Sequence, residues 1–362
     1  MEERWVEKKI MKKYTGIPHI RSDAKFVDVA DALRKEILAG RWAPGTKIPT
    51  WTDLCKRFSL GRPTLTRALD ILKRERFIVA DSTRGTLVSE NPPTQHRYAL
   101  LFPEAPGKAP AGDWSLFWES LIEEAKQGEF AGGNYIDPVW DVAPHSDNAS
   151  WQRLQADISH RCLAGLLIPR SRDLLGIPSL PGTPAVFLGS SPEPDAHLQV
   201  EHDWRTFFNM AVDDLLAQDR RHIAILTSDL ATQDLGISIA REKGADCPDE
   251  WGLVVPMYAM THTVQLLFSR RVSPRPDALV MADSNLLEGT FEGLRAARIS
   301  LPDDLRIVTH VHSAEVAEKH PGIHALGFPS RKTLETAIAL AEEARATGLQ
   351  NKRILLGPEY LS

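Results

Sequence analysis

The chain has 362 residues, 43% of them hydrophobic and 25% charged, with a formal net charge of −5. This is the composition of a folded globular protein, and the length exceeds what one ordinary core holds, so two or three domains are expected. No run of about 18 apolar residues occurs and the opening residues are too charged for a signal-peptide core, which argues against a membrane-spanning or secreted protein and predicts a cytoplasmic one.

The charge is unevenly spread. Residues 1–90 hold 19 Lys plus Arg against 12 Asp plus Glu, a net of +7, while the rest carries −12. A basic head attracts phosphate, and an acidic body keeps the remainder of the molecule off a polyanion. Cys55, Cys162 and Cys247 lie far apart in no metal-like spacing and read as reduced structural thiols.

Residues 1–22 show no capped amphipathic pattern and read as a loosely ordered charged extension. A compact basic unit follows over residues 23–90. Within it, Asp31 to Gly40 ends at a glycine that suits a helix stop. Pro44-Gly45-Thr46-Lys47-Ile48-Pro49 forms a turn, and Trp51 to Phe58 reads as a second short helix. A third helix starts at Pro63-Thr64, since a proline in the first turn has no amide donor to lose. Leu65, Ala68, Leu69 and Leu72 then fall at helical spacing and should be core. A hairpin tipped by Arg84-Gly85-Thr86 completes a winged helix-turn-helix.

That pattern makes double-stranded DNA the expected partner. The candidate contacts are Lys47, Thr50 and Trp51 at the turn, and Arg62, Thr64, Thr66, Arg67 and Lys73 on the third helix. Arg84, Gly85 and Thr86 join them on the wing. The first residues of a recognition helix reach base edges in the major groove, where Arg suits guanine and Thr suits phosphate or a thymine methyl. Gly85 allows a tight wing tip, and Arg84 beside it can enter a minor groove.

Residues 91–97 contain two prolines and read as a linker. From Tyr98 onward, short apolar runs alternate with helical stretches. Tyr98 to Phe102, Cys162 to Ile168, Ala185 to Leu188, His222 to Leu226, Ala278 to Met281 and Leu305 to Val308 are the runs, and Trp114 to Gln127 is helical. Continuous apolar strands between amphipathic helices mean parallel strands buried on both faces, an α/β doubly wound fold. The roughly 265 residues of residues 98–362 suggest two lobes.

The head resembles the winged helix-turn-helix of the GntR family of bacterial transcription regulators. The resemblance is carried by Ile37 and Gly40, Pro44-Gly45-x-Lys47-Ile48-Pro49, Leu54 and Phe58, Arg62-Pro63-Thr64, Ala68-Leu69-x-x-Leu72, and Arg84-Gly85-Thr86-x-Val88. Three positions depart from the family: Trp51-Thr52 replaces an Arg usual after the turn's last proline, Gly61 replaces Ser or Thr, and Thr66 often is Arg. The operator preference of the family is therefore not transferred.

The body resembles the effector part of the lactose/galactose repressor family, itself similar to periplasmic sugar-binding proteins. Its anchors include Tyr98 to Pro103, Ala164 to Pro169, Pro184 to Leu188, Val200-x-x-Asp203, Arg220 to Leu226, Pro276-Asp277-Ala278 with Asp283 and Gly289, and Leu301 to Val308. Leu355 to Leu361 fits that family's last strand. The resemblance implies a two-lobed body with a small-molecule cleft at the carboxyl ends of strands. Trp114, Phe117, Arg170, Gln233, Asp283 and His310 are the implied cleft residues. Gln233 stands where the family has an Arg, and Val311, between His310 and His312, where it has an Asp. The loss of charged anchors predicts neutral recognition.

The expected function is a DNA-binding transcription regulator, a repressor, whose operator affinity follows a carbohydrate-related effector between the lobes. A GntR-type head on such a body resembles the arrangement of the arabinose repressors of bacilli, and pairing of the bodies in a homodimer is expected. The alternative is a DNA-binding regulator with a ligand-free, purely dimerising body. An enzyme, such as a head fused to an aminotransferase-like domain, is disfavoured: no Lys sits in a cofactor-like motif and no Gly-rich phosphate loop occurs. No cofactor is expected, and His310-x-His312 without a third ligand is a poor metal site.

Overall fold

A computed structural model describes residues 22–108, 115–144, 146–174, 177, 183–189, 197–269 and 274–361. Residues 1–21 of the expected extension and the candidate cleft residue Trp114 lie outside the described residues. The chain divides into two compact units, a head that runs to His96 and also takes in Ser159–Cys162, and a body of Arg97–Ile158 and the chain from Leu163 onward.

In the head, α1 (Ser22–Leu38), α2 (Trp51–Phe58) and α3 (Arg62–Arg74) precede a hairpin of β1 (Ile78–Asp81) and β2 (Gly85–Val88). Val29, Ala30, Leu33 and Ile37 of α1 meet Leu54 of α2 and Leu65, Ala68, Leu69 and Leu72 of α3 in one core. The register of the hairpin sets Ile78 opposite Val88 and Asp81 opposite Gly85. Residues 45–48 join its other side, where Ile48 N–H donates to Thr86 O and Val88 N–H to Thr46 O. Arg34, 3% exposed, is held by Glu75 at 2.6 Å, so a buried cation at the middle of α1 is paired at the end of α3.

The stretch read as a linker is partly helical. Pro93–His96 forms a single turn, α4, and Arg97 already begins the first strand of the body. Pro93 opens that turn, where its missing donor costs nothing, and Gln95 and His96 donate their amides to Pro92 O.

The first half of the body contains β3 (Arg97–Leu101), α5 (Leu116–Lys126), β4 (Tyr135–Val139), α6 (Ala149–Ser159), β5 (Gly165–Pro169), β6 (Ala185–Leu188) and β7 (Leu198–His202). Then come α7 (Trp204–Ala217), β8 (Ile223–Thr227), α8 (Leu230–Glu242), β9 (Gly252–Val254), α9 (Met260–Leu267), β10 (Ala278–Met281), α10 (Leu287–Ala297), β11 (Arg306–Val311), α11 (Ala314–Lys319) and β12 (Ile323–Gly327). The chain ends with α12 (Ser330–Thr347), β13 (Lys352–Leu356) and β14 (Glu359–Tyr360).

These strands build two sheets of six, in the orders β13-β7-β6-β5-β3-β4 and β14-β12-β11-β10-β8-β9. All pairings are parallel except that of β14 with β12. Strands β5, β6, β8 and β10 are buried along their whole length, as helices on both faces of a parallel sheet require. Helix α7 packs on β10, β11 and β12, whereas α12 packs on β5, β6 and β7. The chain thus passes between the lobes after β7, after β12 and after β13.

The second passage needs a glycine. A Cβ on Gly327 would lie 1.8 Å from Val311 O, the carbonyl at the end of the neighbouring strand. Gly327→Ala must therefore push β12 off β11 at the cleft, an overpacking that costs about 1–3 kcal/mol. Urea unfolding of this variant should show a midpoint lowered to match, and an unchanged midpoint would mean that the contact relaxes freely.

Candidate functional site

The exposed side of α3 and the wing form the candidate nucleic-acid interface. Helix α2 is started by Thr50, whose Oγ1 accepts from Asp53 N–H at 3.3 Å and donates to the Asp53 carboxylate at 2.6 Å. Thr50 is thus committed to the cap. Pro63 stands in the first turn of α3 behind Gly61. Arg62 is exposed with its guanidinium 5.5 Å from the centre of the half-buried Trp51 ring, so the two candidates form one cation–π pair. The Thr66 hydroxyl donates back to Arg62 O at 2.9 Å. Arg67 is exposed and lies over Phe26 of α1, and Lys73 sits 3.7 Å from Asp70. Thr64 is half-buried. Arg74, exposed two turns after Arg67, extends this face and was not among the sequence candidates, although its spacing from Arg67 carries the signal.

At the wing tip Gly85 has φ +93° and approaches the Lys47 side chain, and Thr86 is half-buried beside it. The Asp81 carboxylate accepts from the amides of Thr83 and Arg84, from the Thr83 hydroxyl and from the Arg84 guanidinium. These bonds, led by the Arg84 amide, hold its pKa well below the usual carboxylate range. The Arg84 side chain therefore turns back to brace the wing.

The second site is a cavity of about 460 Å³ in the body. Its residues stand at the carboxyl ends of strands: Arg170 after β5, Gly189 after β6, His202 ending β7, Asp229 after β8, Asp283 after β10, and His310 and His312 at the end of β11. Phe117 and Trp204 contribute from the first turns of α5 and α7. Phe117, Arg170, Asp283 and His310 of the sequence candidates come together here. Gln233 does not line the cavity; its Nε2 faces Gly252 of β9, because its place on α8 turns it toward that strand. Asp229 and Thr232 of the same helix line it instead.

Both carboxylates are structurally engaged. Asp229 caps α8 by accepting from Thr232 N–H at 3.0 Å and from its hydroxyl at 2.8 Å. Asp283 Oδ1 accepts from the amide and side chain of Asn285 at 2.9 and 2.7 Å. Asn285 Oδ1 in turn accepts from Leu116 N–H at 2.8 Å, a bond from one lobe to the start of α5 in the other.

The floor is a cluster of imidazoles among aromatic rings. His310 and His312 lie 4.3 Å apart, and His202 is 5.9 and 6.0 Å from them. His202 stacks on Phe328 at 4.2 Å, Trp204 stands 4.9 Å from His310, and Phe117 4.7 Å from His312. Burial pushes His202 down to about 3 and His312 to about 4, the former also feeling His312. His310 is pushed well below the ordinary histidine value by burial and by both neighbours. All three are therefore neutral at pH 7. Sequence reasoning missed His202, His312, Trp204 and Asp229 as cleft residues; only their positions at strand ends could have signalled them. Among the described residues no group of three or more His, Cys, Asp or Glu could hold a metal ion. No helix there is long and apolar enough to cross a membrane.

Residues 26–88 match the model of the gntR family of bacterial regulatory proteins. YisV, an HTH-type transcriptional regulator of Bacillus subtilis (strain 168), is 30% identical over 110 residues, 30% of this chain and 21% of that protein. The chain thus spans about a fifth of that relative's length. Among solved structures, a LacI transcriptional regulator from Rhodococcus species has a TM-score of 0.56 at 16% identity, over 74% of this chain and 96% of that one. A LacI family regulator from Mycobacterium smegmatis gives 0.54 at 16% identity, over 73% and 97%. The transcriptional regulator CelR, in complex with cellobiose, gives 0.53 at 14% identity, over 84% and 90%. The head is a GntR-type winged helix-turn-helix, and the body has the two-lobed fold of LacI-type regulators.

The imidazole cluster makes a pH signature. Unfolded, each histidine titrates near 6.5; folded, each stays neutral to far lower pH. Well above pH 7 none of the three is protonated in either state, and their contribution to stability is flat. As pH falls through 6.5 toward 4, the unfolded chain binds protons that the folded chain refuses, so stability declines by up to about 1.4 kcal/mol per pH unit per histidine. His310→Phe should make the slope between pH 6 and 5 shallower by about that amount in urea unfolding. An identical slope would show that His310 titrates normally in the folded protein.

Proposed function

We propose that the protein is a transcription regulator, a repressor, that binds an operator through α3 and the wing and whose affinity follows a carbohydrate-related molecule held between the lobes of the body. The observation that carries this reading is the pairing of a basic GntR-type head with a polar, aromatic-walled cavity whose ligating groups come from both sheets of a LacI-type body. A cellobiose complex among the structures similar in fold supports a sugar-like effector.

In this mechanism Arg62, stacked on Trp51 at the N-terminal end of α3, reads a base edge, while Lys47 and Lys73 contact phosphates. A ligand touching both lobes favours one interlobe spacing, and the preference passes to paired heads through a homodimer. Twofold pairing suits half-site recognition. Tyr258 and Leu266, 89% and 69% exposed on the second lobe, support a body-to-body interface there.

Two measurements test this. Full-length Arg62→Ala should keep its circular dichroism spectrum and lose about tenfold or more in DNA affinity, the value of one good bidentate base contact. Equal affinity by fluorescence anisotropy on a DNA site selected with the wild-type protein would remove α3 from the interface. In light scattering, the wild type should run as a dimer and the Tyr258→Asp/Leu266→Asp double variant as a monomer with weakened operator binding. A dimer unaffected by both changes would place the interface elsewhere.

A further inference from the structure

We infer that the ring edges of His202, His310 and His312 are the ligand-reading floor of the cleft, and that they select a neutral polyhydroxylated molecule over an anionic one. This rests on the cleft being the effector site proposed above.

The first ground is unpaired chemistry. Both ring nitrogens of His310, Nε2 of His202 and Nδ1 of His312 are buried without a protein hydrogen-bond partner. His310 and His312 are only 3% and 7% exposed, yet both line the cavity. Buried polar atoms are nearly always paired, so several orphans on one cavity wall mark a surface completed by something that enters it. Fixed partners elsewhere would have left none to offer.

The second ground is charge. The three rings lie within about 6 Å of one another, so a proton on any one repels a proton on the next. Among the described residues, the other charged groups at the cavity are Arg170, Asp229 and Asp283, with Asp203 capping α7 beside Trp204. One cation facing two lining carboxylates gives an anion no net welcome. Each neutral imidazole instead presents one N–H and one lone pair. A hydroxyl is both acceptor and donor, so a row of hydroxyls matches a row of neutral rings. Phe117 and Trp204 beside His312 and His310 add apolar faces for the C–H side of a sugar ring.

Neutral partners on both sides mean that binding moves no proton. An anion would raise the affinity of the rings for protons and would therefore bind with proton uptake, more tightly as pH falls.

The test is titration calorimetry of the full-length protein at pH 6, 7 and 8, in buffers of different ionisation enthalpy. The probes are glucose, galactose, arabinose and cellobiose, set against glucose 6-phosphate and glucuronate. We expect at least one neutral sugar to bind with no proton uptake and with affinity constant within about twofold across that range, and neither anion to bind more tightly. His310→Leu should weaken that sugar at least tenfold, and His310→Asn, which keeps a donor and an acceptor, should recover part of the loss. Binding of anions alone, proton uptake, or no neutral binder would overturn the inference. A sugar that binds in this way without altering operator affinity would sink the regulatory proposal and leave the ring assignment standing. An anion that releases the operator would do the reverse.

Discussion

The body depends on one close approach: the end of β12 against the end of β11. Gly327 passes the Val311 carbonyl with no room for a side chain. Immediately after it, Phe328 N–H donates to Val311 O at 3.2 Å and Ser330 N–H to His312 O at 3.2 Å. These bonds set the point where the chain leaves the second lobe for α12. They also place the Phe328 ring under His202, whose plane is within 4° of it. His202 itself ends the strand from which the chain first leaves the first lobe. Two of the three interlobe passages thus meet in one stack. The burial that results keeps the imidazoles neutral, and the same packing leaves ring nitrogens of these cavity-lining residues without a protein partner.

The head uses a different economy. Its core is small, and its precision comes from exposed hydrogen bonds at element ends. Thr50 starts α2, Ser59 ends it in the left-handed region, and Asp81 ties the wing turn through four donors. A carboxylate that braces a turn by accepting amides is stabilising only while ionised, which its depressed pKa secures across any ordinary pH. The cation next to it, Arg84, is 61% exposed yet paired with Asp81, so its charge strengthens the wing as much as it faces outward. Arg62, on the aromatic face of Trp51, is fixed in orientation without spending its donors on a carboxylate.

The parts of this architecture that were legible in the sequence are those where burial is uniform. Ala185 to Leu188 and Ala278 to Met281 form strands with the bounds read from their apolar runs, since both are buried along their length. The strands Tyr135–Val139, Leu198–His202, Gly252–Val254 and Ile323–Gly327 escaped a reading based on apolar runs. Pro138 is tolerated because β4 is an edge strand, and Gln199 and Glu201 interrupt the pattern of β7 although both are buried. Glu201 is accommodated by Arg353 at 2.8 Å, a partner 152 residues away that no local pattern reveals. The cleft follows the same logic. Phe117, Arg170, Asp283 and His310 follow or end visible strands and helices, whereas His202 ends one that was not visible. Gln233 was displaced by helix phase, since within α8 it is Thr232 that shares the cavity side with the capping Asp229.

On the proposed reading of the cleft, the distribution of the imidazoles over the two sheets decides what a ligand there can do. His202 belongs to the first sheet and His310 to the second, with His312 directly after the end of β11. A molecule that pairs with all three is therefore sensitive to the separation of the lobes, and so is the bond from Leu116 N–H to Asn285. Hydrogen bonds fail over fractions of an ångström, so the pairing free energy differs between lobe spacings, and that difference alone sets how far a ligand shifts the population. A ligand held only by the first sheet, however tightly, would shift nothing. Recognition spanning the ends of β7 and β11, as proposed, would make affinity and conformational effect the same set of bonds. A side chain that contributes to one cannot be removed without loss of the other.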